Sequence, residues 1–235
     1  MSTLALKAFQ DNYIWIIQQR SSFFCVDPGD AAPVLAFSEQ KQLELKAILI
    51  THNHMDHIGG VKQLIKYFPE AVIYAPENNA EHITLAPYQF DIINTPGHTH
   101  NHICYFEPNE HWLFCGDTLF SAGCGRVFDG TIDALFNSLN QLKQLPDDTK
   151  VFCAHEYTRQ NLKFALTVEP NNKASQLHLS LLEKNPEQIS LPSRIKLEKQ
   201  INPFFRLDAP EIQAFTQQTE PLEVFKALRA AKDYF

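Results

Sequence analysis

Apolar residues along this chain follow two rhythms. Up to about residue 155 they come in short runs: Leu4 to Phe9, Tyr13-Ile14-Trp15-Ile16-Ile17, Phe23-Phe24-Cys25-Val26, Ala47-Ile48-Leu49-Ile50, Ala71-Val72-Ile73-Tyr74, Phe90-Asp91-Ile92-Ile93, Ile103-Cys104-Tyr105-Phe106, Trp112-Leu113-Phe114-Cys115 and Val151-Phe152-Cys153. Runs of this length, rich in β-branched and aromatic residues and closed by turn residues, predict strands. Asp27-Pro28-Gly29-Asp30 is turn chemistry, and Glu107-Pro108-Asn109-Glu110 joins two of the runs as a hairpin. Between the runs, apolar positions fall at helical spacing. Val34, Leu35 and Phe37 follow Asp30 as a cap; Val61, Leu64, Ile65 and Phe68 form a second set; Ile132, Leu135, Phe136, Leu139, Leu142 and Leu145 form a third, from Thr131 to the stop at Pro146.

The second rhythm begins near residue 165. Helical segments with proline-bearing joins take over, at Ala174 to Glu183, Pro210 to Gln218 and Pro221 to Lys232, with Pro210 and Pro221 in first-turn positions. No strand is expected there, and Leu191 to Arg206 reads as irregular. Two groups of strands with their helices, followed by a helical tail, predict an α+β protein: a two-sheet sandwich covered by helices over residues 1–165, then a small α-helical domain over residues 166–235.

Composition narrows the setting. A chain of 235 residues with 44% hydrophobic and 20% charged residues can bury a sizeable core, which excludes a disordered chain. The apolar runs are too short to span a membrane, and the start Met1-Ser2-Thr3-Leu4-Ala5-Leu6-Lys7 lacks the pattern of a secretory signal, so a cytoplasmic protein is expected. A net charge of −7 argues against a nucleic-acid partner. The charge is uneven, however: residues 1–165 hold 11 Lys and Arg against 18 Asp and Glu, whereas 166–235 hold 9 against 9. Five cysteines with no close pairing are expected to be reduced; Cys25, Cys104, Cys115 and Cys153 lie in apolar runs as small buried hydrophobes, and Cys124 lies in a loop.

The chemistry concentrates in Thr51-His52-Asn53-His54-Met55-Asp56-His57-Ile58-Gly59-Gly60, which sets three histidines and a carboxylate within six positions between a strand and a helix. In extended backbone alternate side chains share a face, so His52 and His54 reach one ion, while Asp56 and His57, past the turn into the helix, aim at a second. Gly59 and Gly60 let backbone approach closely. Two ions need further ligands, and three strand ends offer them: His98 in Thr95-Pro96-Gly97-His98, Asp117 after Gly116, and His155 in Ala154-His155-Glu156. Five imidazoles and two carboxylates suit zinc, iron or manganese, without choosing among them. His100 and His102 extend the alternation from His98 but lack a pattern of their own, as do His82, His111 and His178. Asp27 has two readings, a partner that orients a ligating imidazole or a turn stabiliser.

At these residues the chain resembles the metallo-β-lactamase superfamily, and within it the hydroxyacylglutathione hydrolases, over nearly its whole length. The resemblance implies an αββα sandwich with a helical C-terminal domain. It implies a first ion held by His52, His54 and His98, a second by Asp56, His57 and His155, and Asp117 bridging both. A hydroxide shared by the two ions would hydrolyse S-(2-hydroxyacyl)glutathione, typically S-D-lactoylglutathione to glutathione and D-lactate, the second step of methylglyoxal disposal. A thiol with a pKa of about 8.5 leaves without a strong general acid. Lys226, Arg229 and Lys232 stand three residues apart on neighbouring parts of one helix face, a cationic strip. The resemblance assigns Arg229 and Lys232 to the glycine carboxylate of glutathione and Tyr157 to another glutathione contact; Lys226 has no counterpart. Where eukaryotic relatives tend to carry Lys and Tyr this chain has Arg126 and Phe128, so a cation is kept and a hydroxyl lost.

Four other readings compete. A one-iron persulfide dioxygenase shares the loop motif, but the Arg229/Lys232 pair counts against it. A tRNA-processing nuclease needs a basic surface. A β-lactamase would carry an export signal. A zinc module kept only for folding would have four ligands rather than seven. A monomer acting on a small molecule is expected.

Overall fold

The computed structural model describes residues 2–78 and 80–235. Strands β1 (Ser2–Ala8), β2 (Asn12–Gln18), β3 (Ser22–Val26), β4 (Glu44–Leu49) and β5 (Val72–Tyr74) form one sheet in that order. Helices α1 (Ala31–Lys41), α2 (Met55–Ile58) and α3 (Val61–Tyr67) lie along its connections. The second sheet runs β13-β12-β9-β8-β7-β6, from β6 (His82–Leu85), β7 (Tyr88–Asn94), β8 (Ile103–Glu107), β9 (Trp112–Gly116), β12 (Lys150–Cys153) and β13 (Ser193–Arg194). A two-residue ladder, β10 (Leu119–Phe120) with β11 (Gly123–Cys124), precedes α4 (Ile132–Lys143). The remaining helices are α5 (Thr158–Val168), α6 (Lys173–Lys184), α7 (Ile195–Ile201), α8 (Pro210–Thr216) and α9 (Pro221–Asp233). No helix among the described residues is long and apolar enough to cross a membrane.

The unbroken apolar run of β2 reflects burial on both faces. Tyr13, Trp15 and Ile17 point into the space between the sheets, with Phe24, Val26, Phe114 and Phe152; Ile14 and Ile16 point outward against Ala31, Val34 and Phe37 of α1 and Leu64 of α3. Each such side chain contributes roughly 1.5–3 kcal/mol of burial. Asp30 caps α1 as expected, its carboxylate accepting from Ala32 N (2.9 Å). Trp15 crosses the sandwich: Nε1 donates to Cys153 O (2.9 Å) and the indole meets Phe152 edge-on (5.0 Å). The inner core continues through Leu135, Leu139 and Leu142 of α4 into Phe204, Phe225 and Leu228, so the tail helices share a core with the second sheet. All five cysteines are free and buried, Cys124 included.

Three features depart from the expected elements. Leu191 to Arg206 is not irregular: it holds β13, α7 and a 3₁₀ turn, Pro203–Phe205. The inward positions of α7 are Ile195, Glu198 and Ile201, and the buried carboxylate in the middle breaks the apolar period. Helix α5 went unanticipated because Thr158 and Asn161 lie on its buried side. Strand β6 is four residues at a sheet edge, with only Ile83 and Leu85 buried.

Strand direction, more than strand count, decides where the polar loops emerge. β8 is antiparallel to both β7 and β9, and β12 is parallel to β9, so β7, β9 and β12 all run the same way. The loops after these three strands, carrying His98, Asp117 and His155, leave the sandwich at one edge. The loop after β4 joins them there, with Thr51 O accepting from Ile103 N (3.0 Å).

Candidate metal centre

The seven side chains expected to hold metal come together at that edge. Nitrogen and oxygen atoms within 4.8 Å of one another form three overlapping groups: His52, His54 and His98; His52, His57 and Asp117; Asp56, His57 and His155. Helix α2 starts directly after His54 and turns Asp56 and His57 toward the second group. Asp117 spans the two ends: Oδ2 lies 3.5 Å from His98 Nε2, and Oδ1 lies 3.5 Å from both His57 Nε2 and His155 Nε2. Asp56 Oδ2 completes the far end, 3.5 Å from His57 Nε2 and 3.4 Å from His155 Nε2.

Four of the imidazoles turn Nδ1 toward an outer neighbour and leave Nε2 facing inward. His155 Nδ1 donates to Asp11 (2.8 Å), His98 Nδ1 to Arg126 O (2.7 Å), His57 Nδ1 lies 3.1 Å from Asp27, and His52 Nδ1 lies 3.1 Å from Thr51 Oγ1. Outer partners of this kind set the tautomer and the ring orientation of metal-binding histidines. Asp27 thereby takes the first of its two readings: it also accepts from Thr51 N and Thr51 Oγ1, both at 2.8 Å, so it fixes the loop and one of its imidazoles.

These groups fit divalent ions. Nε2 of His52, Nε2 of His57 and Oδ1 of Asp117 are buried without a hydrogen-bond partner among the described residues. His98 Nε2 faces His54 Nδ1 at 3.1 Å, and since His98 Nδ1 spends its proton on a carbonyl, its Nε2 presents a lone pair there. The electrostatics agree. Burial opposes charge on His57 and His155, yet Asp117, with Asp27 and Asp56, overrides it, holding His57 well above its ordinary range and His155 at about 10. The neighbouring His155 and His57 imidazoles hold the Asp56 carboxyl well below the carboxylate range; for Asp117 burial pushes upward, and His57 and His155 outweigh it. The cluster demands positive charge, and with no cysteine among its donors it suits zinc, iron or manganese.

Backbone constraints hold the loops together. Gly116 has φ +46°, and a Cβ there would stand 2.3 Å from Thr51 Oγ1, so the turn into Asp117 admits only glycine. The Asp27–Asp30 turn packs directly on the metal loop: Gly60 N donates to Pro28 O (2.9 Å), and a Cβ on Gly29 would lie 1.8 Å from Asp56 O. His102 holds Asp117 from behind. Its ring stacks on His52 (4.8 Å), its Nε2 accepts from Asp117 N (3.3 Å), and its Nδ1 meets Thr95 and Thr118 hydroxyls at 3.0 and 3.1 Å. Burial and His98 push its pKa down to about 3, so it stays a neutral support.

A cleft of about 450 Å³ opens over the centre. His54, Asp56, His98, Asp117 and His155 line its floor, and Arg126, Phe128, Tyr157, Arg229 and Lys232 line its walls. Tyr157 stacks on the His155 ring (4.7 Å), and Phe128 stands edge-on to His54 and His98 (5.1 Å each), so it packs on the imidazoles. The cationic strip is corrected by the structure. Lys226 faces outward, paired with Glu223 (3.0 Å) and Asp133 (3.4 Å). Arg229 is only 5% exposed and donates to Cys124 O (3.0 Å), Gly125 O (3.3 Å) and Asp233 (3.1 Å), with its Nε left unpartnered. Lys232 Nζ sits 5.2 Å from the Phe164 ring and 4.9 Å from that of Phe235; burial and Arg229 lower its pKa to about 8.

Sequence reasoning missed several participants. Asp11, in the β1–β2 turn, and Asn12, at the start of β2, touch the centre directly, Asn12 Nδ2 donating to Asp56 Oδ2 (3.0 Å). The only signal was a polar Gln10-Asp11-Asn12 between two apolar runs, common to any tight turn. Asp233, which pairs with both Arg126 (3.1 Å) and Arg229, carried none.

Residues 9–94 and 89–155 match the family model described as metallo-beta-lactamase superfamily, and residues 156–235 match the one described as hydroxyacylglutathione hydrolase C-terminus. The chain is 48% identical to a hydroxyacylglutathione hydrolase of Legionella pneumophila (strain Corby), covering 100% of each chain. It is 42% identical to one of Aeromonas salmonicida (100% and 99%) and 45% identical to one of Vibrio cholerae (98% and 98%). Among solved structures it is similar to the BLEG-1 B3 metallo-beta-lactamase, with TM-score 0.66 and 22% identity over 87% of this chain and 99% of that one. It is also similar to ETHE1 from Myxococcus xanthus, with TM-score 0.63 and 22% identity over 99% and 98%. At such identities the likeness to these two structures concerns the fold.

Proposed function

Since the chain belongs to the hydroxyacylglutathione hydrolases of the metallo-β-lactamase superfamily, we propose that its cleft hydrolyses S-(2-hydroxyacyl)glutathione thioesters, S-D-lactoylglutathione among them. The observation that carries this reading is Asp117, whose two oxygens face the two ends of a seven-donor cluster beneath a cationic wall. His52, His54 and His98 would hold one divalent ion and Asp56, His57 and His155 the other, with Asp117 shared between the two sets. A pair of such ions supplies a water acidic enough to act near neutral pH and a Lewis acid for the carbonyl oxygen. Asp11, Asp27 and the Arg126 carbonyl keep the imidazoles aimed. Arg229 and Lys232 take the glycine carboxylate of glutathione, Arg126 and Tyr157 its peptide portion, and Phe128 covers the first set of ligands by packing alone. Water adds its oxygen to the acyl carbon, the C–S bond breaks, and the thiolate leaves to take a proton from solvent, giving D-lactate and glutathione.

Zinc is the ion we assign, with iron and manganese accepted by the same donors. The protein acts as a cytoplasmic monomer in the second step of methylglyoxal degradation, without nucleic acid or membrane. Residues 1–165 form the catalytic part and 166–235 the helical substrate-binding part; the support for this division is that Arg229 and Lys232 reach the cleft from the far end of the chain.

The test is loss of thioester absorbance with purified protein and S-D-lactoylglutathione, alongside metal analysis. Two ions per chain, no turnover in Asp117→Ala, and a KM raised roughly tenfold or more in Arg229→Ala/Lys232→Ala are expected. A fully metallated wild type that leaves the thioester intact refutes the substrate.

A further inference from the structure

Beside the Asp56–His155 end of the centre two large apolar side chains point into solvent, Phe9 (61% exposed) and Met55 (71% exposed). Phe9 also has φ +51°, a left-handed conformation that is strained for a bulky residue. Strain of this kind persists where surrounding structure enforces it, and it gathers at ligand sites. The enforcement is visible two and three residues on: Asp11 holds His155, and Asn12 holds Asp56. Phe9 and Met55 rim a second groove of about 590 Å³ that shares Asp56, His155 and Tyr157 with the cleft.

The groove adjoins the cleft at the Asp56–His155 end of the metal cluster, where the two share Asp56, His155 and Tyr157. Arg126 and Arg229 are tied to the His98 end: Arg126 O binds His98 Nδ1, Arg229 binds the Cys124 and Gly125 carbonyls, and Gly125 packs within a Cβ's reach of His98. The Phe9–Met55 groove belongs to the Asp56–His155 end. A thioester whose glutathionyl arm lies along the cations and whose carbonyl lies over Asp117 can send its acyl carbons past Asp56 and His155 into this groove.

We propose that the Phe9–Met55 groove is the acyl subsite, and that it favours 2-hydroxyacyl groups with large apolar or aromatic side chains over the methyl of lactate. The inference rests on the thioesterase reading. Met55 supplies a flexible, polarisable wall suited to aromatic rings, and Phe9 a flat one.

The test compares kcat/KM for S-mandeloylglutathione and S-glycoloylglutathione on the metal-loaded enzyme; their ratio cancels any loss common to both. Phe9→Ser/Met55→Gln, which alters only exposed side chains, is expected to lower the ratio by about tenfold, the scale on which apolar pockets discriminate. Equilibrium binding gives a second readout: the preference for S-phenacylglutathione over S-acetonylglutathione, both ketones that cannot be hydrolysed, should fall to a similar extent. Hydrolysis of both thioesters with an unchanged ratio overturns the subsite alone. So does a ratio that falls in Phe128→Ala and not in the double variant, which would put the acyl group at the His98 end. A wild type that hydrolyses neither thioester overturns the thioesterase reading and the subsite with it.

Discussion

Replacing Glu198 by alanine should disturb substrate binding from a position that touches neither metal nor substrate. The carboxylate is fully buried and accepts from Ser121 Oγ (2.8 Å), Ala122 N (2.7 Å), Asn202 Nδ2 (3.1 Å) and Ser193 Oγ. Two of these donors belong to the segment just beyond Asp117. In Glu198→Ala the serine hydroxyls can rotate, and Asn202 keeps its bonds to Phe120 O (3.2 Å) and Gly123 O (2.9 Å). The Ala122 N–H has no substitute, and leaving it unpaired costs about 1–3 kcal/mol. The emptied side-chain volume adds about 1–2 kcal/mol. Part of this is returned, because burial raises the Glu198 pKa and so the ionised wild type already carries a desolvation cost. The net loss is about 3 kcal/mol, which in a chain of this size lowers Tm by roughly 6–12 °C. Glu198→Gln keeps an acceptor for Ala122 N and should lose about 1 kcal/mol. The sign of its pH dependence comes from the raised pKa: the stability gained on protonating Glu198 is present at low pH and lost as pH rises through the folded pKa. The deficit of Glu198→Gln against wild type should therefore shrink from pH 5 toward neutrality. Thermal unfolding of metal-loaded protein and KM for S-D-lactoylglutathione are the assays. A Glu198→Ala variant that unfolds within about 2 °C of wild type with unchanged KM would refute the reasoning, since about 3 kcal/mol cannot vanish into so small a shift.

Three further outcomes arise from the same geometry. Asp27→Asn should weaken retention of the second ion about 10- to 100-fold, read by competition with a chelator, because it replaces an acceptor beside His57 Nδ1 with an amide. For Lys232, burial and Arg229 bring the pKa to about 8, so the free enzyme loses this cation as pH rises through that value. KM should climb several-fold there, and Lys232→Arg, whose charge persists, should move the climb upward; a KM flat to pH 9 in wild type would count against it. Stripping metal with a chelator should lower Tm by about 10–20 °C and added zinc should restore it, since two ions at a hundred times their Kd together contribute about 5 kcal/mol.

How much of this could be read from the chain depended on whether a residue's role imposed a spacing. His52, His54, Asp56 and His57 were legible because the turn from β4 into α2 forces four donors into six positions. His98, Asp117 and His155 are polar residues at strand ends, and the parallel running of β7, β9 and β12 is why strand ends are the right place to look. His102 shares the alternation of His98 without a ligand's pattern; only the structure shows that its neutral ring supports Asp117 N–H instead. Lys226, Arg229 and Lys232 look alike at helical spacing, and burial alone separates them.

Polar residues facing inward explain most of the remainder. Asn161 in α5, Glu198 in α7, Asn202 after it and Arg229 in α9 each send a side chain to the 119–125 segment, where Asn161 Nδ2 meets Ser121 O (3.0 Å), Asn202 meets Phe120 and Gly123 carbonyls, and Arg229 meets Cys124 and Gly125 carbonyls. A two-residue ladder cannot satisfy its own backbone, so the tail satisfies it from outside. That demand places polar groups at positions an amphipathic helix would fill with leucine, which is why α5 and α7 escape a reading based on apolar period. The same demand gives the tail a second duty. Besides carrying Arg229 and Lys232 to the cleft, it holds in place the stretch between Asp117 and Arg126, so a change in helix packing reaches the metal-bridging carboxylate and the cationic wall through one short segment.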